Sequence, residues 1–159
     1  MSDVSVIIPT FNRWPMLAKA AASVMAQRMV DFELIIVDDG STDETAARLP
    51  GLAEALGAAR RPIRILRTDN YGPAAARNRG VAAASAPLIA FLDSDDLWQP
   101  DKLQRQLDHM RQQPECTISQ TDEIWMRCGV RVNLGQRHRK RGGDFFLIHS
   151  APASSARRP

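Results

Sequence analysis

With 159 residues, 44% of them hydrophobic and 25% charged, the chain is long enough for one well-buried domain and too short for two of ordinary size. That balance excludes global disorder, and no stretch reaches the roughly 18–20 apolar residues that a membrane span needs. The net charge of +3 is unevenly placed: residues 127–159 carry eight Lys/Arg and one acid, whereas residues 1–126 carry thirteen bases and seventeen acids. The N-terminus has neither the basic nor the apolar region of a secretory signal, so a cytoplasmic location is expected. Cys116 and Cys128 form no C-x-x-C pair and have no ligand-spaced histidines, which predicts buried free thiols.

In chain order, Val4 to Ile8 is a β-branched run ended by Pro9 and predicts a first buried strand. From Trp14 to Gln27, Leu17, Ala21, Val24 and Met25 recur at helical spacing, with Pro15 tolerated in the first turn. Phe32 to Val37, apolar except for Glu33, predicts a second strand that runs into Asp38, Asp39 and Gly40. Ser41 or Thr42, followed by Asp43 and Glu44, marks a helix start; the helix heads through Leu52 towards Leu56, with Pro50-Gly51 expected to interrupt it. A short third strand, Ile63 to Leu66, is followed by a turn at Asp69-Asn70-Tyr71-Gly72-Pro73 and an alanine-rich helix from Ala74 to Ala84.

Leu88 to Leu92 is a run of five apolar residues closed by Asp93-Ser94-Asp95-Asp96, which reads as a buried central strand entering an acidic loop. A helix from Lys102 to Gln113 follows Pro100-Asp101, with Leu103, Leu107 and Met110 on one face. Cys116 to Val132 has strand character in two pieces broken near Cys128-Gly129. The order βαβαβαβα calls for an α/β fold with a mainly parallel sheet flanked by helices, joined by right-handed crossovers. Residues 1–135 are expected to form that domain, and residues 136–159 a basic loop and a disordered tail.

Each strand of the first half delivers polar residues at its C-terminal end: Thr10 and Asn12, Asp38 and Asp39, Asn70 and Gly72, then Asp93 and Asp95. In open α/β sheets that edge binds ligands. Asp, Asn and Gly also favour turns, so each cluster alone is explicable by turn chemistry; their shared edge tips the balance towards a site. Carboxylates crowded without a neighbouring Lys or Arg repel one another unless a cation joins them, and hard oxygen ligands suit Mg²⁺ or Mn²⁺.

Val4-Ser-Val-Ile-Ile-Pro-Thr-Phe-Asn-Arg13, Ile36-Val-Asp-Asp-Gly-Ser-Thr-Asp43, Asn70-Tyr-Gly-Pro-Ala-Ala-Ala-Arg-Asn-Arg-Gly80 and Ala90-Phe-Leu-Asp-Ser-Asp-Asp96 resemble the four successive signatures of family 2 glycosyltransferases. The resemblance spans residues 3 to about 125. It implies the glycosyltransferase-A fold and inverting transfer of a sugar from a nucleotide-diphosphate donor of UDP or dTDP type, in the biosynthesis of cell-envelope polysaccharide. It puts Pro9, Thr10 and Asn12 against the donor nucleotide, Asp39 on the base with Asp38 beside it, and Asn70, Gly72 and Arg77 along the pocket. In the family's D-x-D motif, Asp93 would lie near the ribose or sugar and share the cation with Asp95, the direct ligand. Asp96 is either a third acid or a helix cap.

The family's general base is a carboxylate in the second half of the domain, whereas here Asp122-Glu123 comes too early and no acid follows Asp144. The catalytic base is therefore unassigned. The chain is expected to be the donor-binding portion of a transferase, with a non-catalytic nucleotide-sugar-binding module or inactive fragment as the alternative. The acceptor, a saccharide or a lipid-linked molecule, is not identified. Arg137-His-Arg-Lys-Arg141 lacks interleaved aromatics, so no nucleic-acid partner is expected; it is a solvated loop or a peripheral contact with an anionic membrane. A response-regulator receiver would need a lysine closing its last strand, and none occurs between Lys102 and Lys140. Neither G-x-G-x-x-G nor a P-loop is present.

Overall fold

The computed structural model describes residues 2–56 and 61–132. The chain divides into two compact units, Met1–Thr117 and Ile118–Pro159. In the first, β1 (Val4–Thr10), β2 (Phe32–Asp38), β3 (Ile63–Arg67) and β4 (Leu88–Phe91) alternate with α1 (Trp14–Met25), α2 (Glu44–Ala55), α3 (Pro73–Ala83) and α4 (Lys102–Gln112). The strands form one parallel sheet in the order β3-β2-β1-β4. The chain thus moves outward from β1 through β2 to β3, then returns to lay β4 on the other side of β1. The crevice between β1 and β4, where the winding reverses, is the point at which open sheets of this kind accept ligands.

The period of two along each strand sorts the core into two layers. Val4, Val6 and Ile8 of β1 and Phe32, Leu34 and Ile36 of β2 point to one face, where Leu17 and Val24 of α1, Leu49 and Leu52 of α2 and Leu103 and Leu107 of α4 cover them. Ile7, Ile35 and Val37 point to the other, under Ala76 of α3. That second layer is thin because α3 comes very close: a Cβ on Gly80 would stand 2.5 Å from Cγ2 of Ile7. Glycine and alanine on this face let the helix backbone approach the sheet.

Several expectations need correction. Helix α2 runs unbroken through Pro50. Proline removes one N–H, whose partner would be the Ala46 carbonyl, and the ring is exposed while Leu49 and Leu52 anchor both neighbouring turns in the core. Strand β4 is not central and spans only Leu88–Phe91, with Ile89 and Phe91 exposed; among the described residues it is a sheet edge, and β1 and β2 are the fully buried pair. Leu92 extends the pairing by one bond, its N–H donating to the Ile7 carbonyl at 3.1 Å.

In the second unit, Ile118–Ile124 has no regular structure, and β5 (Trp125–Arg127) and β6 (Val130–Val132) form an antiparallel hairpin. Its turn is at Cys128-Gly129, both with positive φ, where the break between two strand pieces is expected, but the strand character expected from Cys116 to Ile124 does not form. Cys116 is half-buried and Cys128 exposed, so the thiols are free but not buried as expected. Residues 136–159, including the basic run 137–141, lie outside the described residues. No described helix is long and apolar enough to cross a membrane.

Candidate functional site

The loop after β1 is built on Asn12, which adopts φ 52°. This left-handed turn, tolerated by asparagine, aims both its backbone and its amide at the loop after β2. Asn12 N donates to Ser41 Oγ at 2.9 Å, and Asn12 Oδ1 accepts from Thr42 N at 2.8 Å and Asp43 N at 3.2 Å. Asp43 in turn caps α2, accepting from Thr45 N at 2.9 Å; a hydrogen bond with the Thr45 side chain comes first among the causes that hold its carboxyl below the usual range, and this backbone bond adds to it.

Asp38 and Thr10 face each other in the parallel register. Both lie on the same parity as Ile8 and Ile36, so their side chains end the core layer and are buried. Asp38 Oδ1 accepts from Ser41 N at 3.0 Å, while Arg67 Nε stands 3.8 Å from Oδ2. Among the described residues, Thr10 Oγ1 and Asp38 Oδ2 are buried without a hydrogen-bond partner, unmet polar capacity at the strand tips. Pro9 is buried in β1 opposite Val37.

Asp39, only 3% exposed, organises the loop after β3. Its Oδ1 accepts from Thr68 Oγ1 at 2.6 Å and from Tyr71 N at 2.9 Å, and its Oδ2 accepts from Gly72 N at 2.8 Å. Burial pushes the carboxyl pKa up, but these three donors outweigh it and the net shift is downward. The two loops meet tightly at Gly40, φ +79°, where a Cβ would lie 2.9 Å from Asn70 N. Asn70 also has positive φ and is exposed, and Gly72 is the N-cap residue of α3.

One turn and more into α3, Arg77 pairs through NH2 with Asp93 Oδ1. On the other side of the acidic loop, Arg13 NH1 pairs with Asp95 Oδ2. Asp93 and Asp95 are 53% and 46% exposed, so both remain open to a ligand. Asp96 N donates to the Asp93 carbonyl at 3.0 Å, closing a turn, and the next helix opens only at Lys102, so Asp96 does not cap it. The loop's exit is held by Gln27, whose Nε2 donates to the Gln99 carbonyl at 2.6 Å and whose Oε1 accepts from Leu103 N at 2.9 Å. Trp98 packs against the core, and Lys102 Nζ stands 3.6 Å from its ring centroid; burial pushes that ammonium down to about 8.

These contacts close a ring around the sheet edge. Asp39 holds Gly72, Gly72 begins the helix bearing Arg77, Arg77 holds Asp93, Asp95 holds Arg13, and Asn12 beside it holds the loop that follows Asp39. The structure thus gathers Thr10, Asn12, Asp38, Asp39, Asn70, Gly72, Arg77, Asp93 and Asp95 on one edge of one unit. Sequence reasoning missed Arg13, Gln27, Ser41 and Thr68. Arg13 had a signal, since it closes the first quoted segment, but its partner lies 82 residues away.

The residues fit a divalent cation of limited protein ligation. Among the described residues no three His, Cys, Asp or Glu converge on one point. Asp93 and Asp95 therefore offer two hard carboxylates at most, the number with which Mg²⁺-type sites are completed by substrate phosphates and water.

The sequence model of the family described as "Glycosyl transferase family 2" matches residues 5–149. The succinoglycan biosynthesis protein ExoW of Rhizobium meliloti is 42% identical over 106 residues, covering 65% of this chain and 32% of that protein. The putative teichuronic acid biosynthesis glycosyltransferase TuaG of Bacillus subtilis is 38% identical over 118 residues, covering 74% of this chain and 45% of that protein. The chain spans less than half the length of both relatives. Among solved structures, the mannosyltransferase PcManGT from Pyrobaculum calidifontis, in complex with GDP-Man and Mn²⁺, is similar with a TM-score of 0.63 and 25% identity, over 69% of this chain and 32% of that one. TarS of S. aureus is similar with a TM-score of 0.60 and 25% identity, over 69% of this chain and 20% of that one. A parallel sheet whose strand-tip acids and glycines gather on one edge is thus joined to a family match over most of the sequence, and the chain belongs to glycosyl transferase family 2.

Proposed function

We propose that this chain carries the donor site of an inverting glycosyltransferase, which takes a nucleotide-diphosphate sugar of UDP or dTDP type with Mn²⁺ or Mg²⁺. The observation that carries the reading is the closed ring linking all four strand-tip loops through Asn12, Asp39, Arg77, Asp93, Asp95 and Arg13. In this reading Thr10, Asp38 and Asp39 face the nucleoside, Asn70, Gly72 and Arg77 line the pocket, and Asp95, with Asp93 beside it, faces the diphosphate. A divalent cation held there would stabilise the charge that grows on the departing diphosphate.

Asp39 supports a pyrimidine. A carboxylate has about four lone-pair positions, and three are taken by Thr68, Tyr71 and Gly72. The remaining one, on Oδ2, matches the single imide N–H of uracil or thymine. Guanine presents two adjacent donors that call for a bidentate acceptor, and Oδ1 has none to spare. PcManGT, in complex with GDP-Man and Mn²⁺, supports a nucleotide sugar with a divalent cation; the choice of base rests on Asp39.

Transfer joins the acceptor oxygen to the anomeric carbon as the bond from that carbon to the diphosphate breaks on the opposite face, while a general base takes the hydroxyl proton. No residue is assigned as that base. The relatives' names support an acceptor in cell-envelope polysaccharide synthesis, as a saccharide or a lipid-linked precursor.

Calorimetric titration of UDP and GDP, with and without Mn²⁺, tests the site in the wild type and in Asp95→Ala. UDP is expected to bind more tightly than GDP, and the benefit of Mn²⁺ to disappear in the variant. Equal affinities with no response to Mn²⁺ would overturn the reading. Binding without turnover in the presence of acceptor would favour a nucleotide-sugar-binding module.

A further inference from the structure

The proposed donor site uses Asp95 as a cation ligand, yet in the structure that carboxylate already has a cationic partner. Arg13 NH1 bonds Asp95 Oδ2 across the β1–β4 crevice. The backbone of Arg13 is pinned: its N–H donates to Thr45 Oγ1 at 3.2 Å and its carbonyl accepts from Met16 N and Leu17 N at 3.1 and 2.9 Å. Its side chain is not, being 48% exposed against 46% for that of Asp95. A long side chain on a fixed stem can move its head without disturbing the loop.

We infer that Arg13 is the resident counter-ion of Asp95, holding the carboxylate in the cation-free protein and giving it up when a divalent cation binds. The inference rests on the reading of Asp95 as a cation ligand. A divalent cation on Asp95 and the Arg13 guanidinium repel one another, so the two occupancies compete. The D-x-D acids are then neutralised in the empty site by Arg13 and Arg77, one from each side. Once displaced, the Arg13 guanidinium stands in the crevice free to donate to an anionic diphosphate, whose geometry suits it.

The test is Mn²⁺ binding followed by electron paramagnetic resonance of free Mn²⁺, in the full chain at low ionic strength, without nucleotide and then with UDP. Because exposed ion pairs are weak, Arg13→Gln should bind Mn²⁺ only about two- to fivefold more tightly than the wild type without nucleotide. Arg13→Lys, which keeps the charge, should stay near the wild type. With UDP present the advantage of Arg13→Gln should shrink or reverse, a change that a purely structural role would not produce. Thermal melting of both variants confirms that they fold. If Asp95→Ala abolishes Mn²⁺ binding while Arg13→Gln binds no more tightly than wild type, the counter-ion role alone is overturned. If Asp95→Ala binds as the wild type does, or no variant binds Mn²⁺ with or without UDP, the cation reading of Asp95 falls and the inference with it.

Discussion

Replacing Asp39 by asparagine changes a single atom type in a side chain that holds two loops together. Oδ1 can stay an acceptor for Thr68 and Tyr71, but the amide nitrogen in place of Oδ2 then faces the Gly72 N–H, donor against donor. One hydrogen bond to a charged acceptor is lost, worth about 1.5–3 kcal/mol, and a poorly exposed N–H is left unmet. The two surviving bonds lose their charge assistance, which roughly halves them. Asp39→Asn is therefore expected to destabilise the protein by about 3–4 kcal/mol at pH 7, a large share of the roughly 5–15 kcal/mol of a typical domain. The assay is urea unfolding followed by circular dichroism. The pH dependence carries a definite sign. Because the folded-state pKa of Asp39 is lowered, its stabilisation is full above the unfolded value of about 3.9 and is lost as pH falls through the folded one. The gap between wild type and variant should narrow as pH drops below about 4. A difference under about 1 kcal/mol at pH 7, or one that stays constant down to pH 3, would refute the reasoning.

Gly80→Ala should cost about 1–2 kcal/mol despite alanine's helical advantage of roughly 1 kcal/mol, because the new Cβ meets Ile7 Cγ2 in the thin layer under α3. In an Ile7→Ala background the same change should become neutral or favourable; an additive double mutant would disprove the steric cause. Gln27→Leu leaves the Leu103 N–H unpaired beneath the acidic loop, while the Gln99 carbonyl keeps the Lys102 N–H at 3.1 Å, so a loss of about 1–3 kcal/mol is expected. Hydrogen exchange should show faster amide exchange at residue 103, and unchanged protection there would rule out the clamp.

Several of these features were legible before any coordinates. The runs Val4 to Ile8 and Phe32 to Val37 announced buried strands because β-branched residues without polar interruption suit a sheet covered on both faces. Helix α1 was legible from the spacing of Leu17, Ala21 and Val24, all of which are buried. Pro50 misled because the local cost of one missing bond was weighed without the two leucines that hold the helix down on either side. For β4, five apolar residues suggested a central position, yet pairing partners decide centrality, and an apolar run does not name its partners.

The sequence by itself determined the alternation of strands and helices and the delivery of Asn12, Asp38, Asp39, Gly72, Asp93 and Asp95 to strand ends. Periodicity and turn chemistry act between near neighbours, so they can be read from the chain. Only the tertiary structure decided that Asp39 braces the loop at Tyr71 and Gly72, that Gln27 grips the exit of the acidic loop, and that Arg13 rather than any nearby base meets Asp95. Those pairings join residues 32 to 82 positions apart. They exist because the sheet brings its strand tips to one edge, and the order of the strands sets which tips meet there.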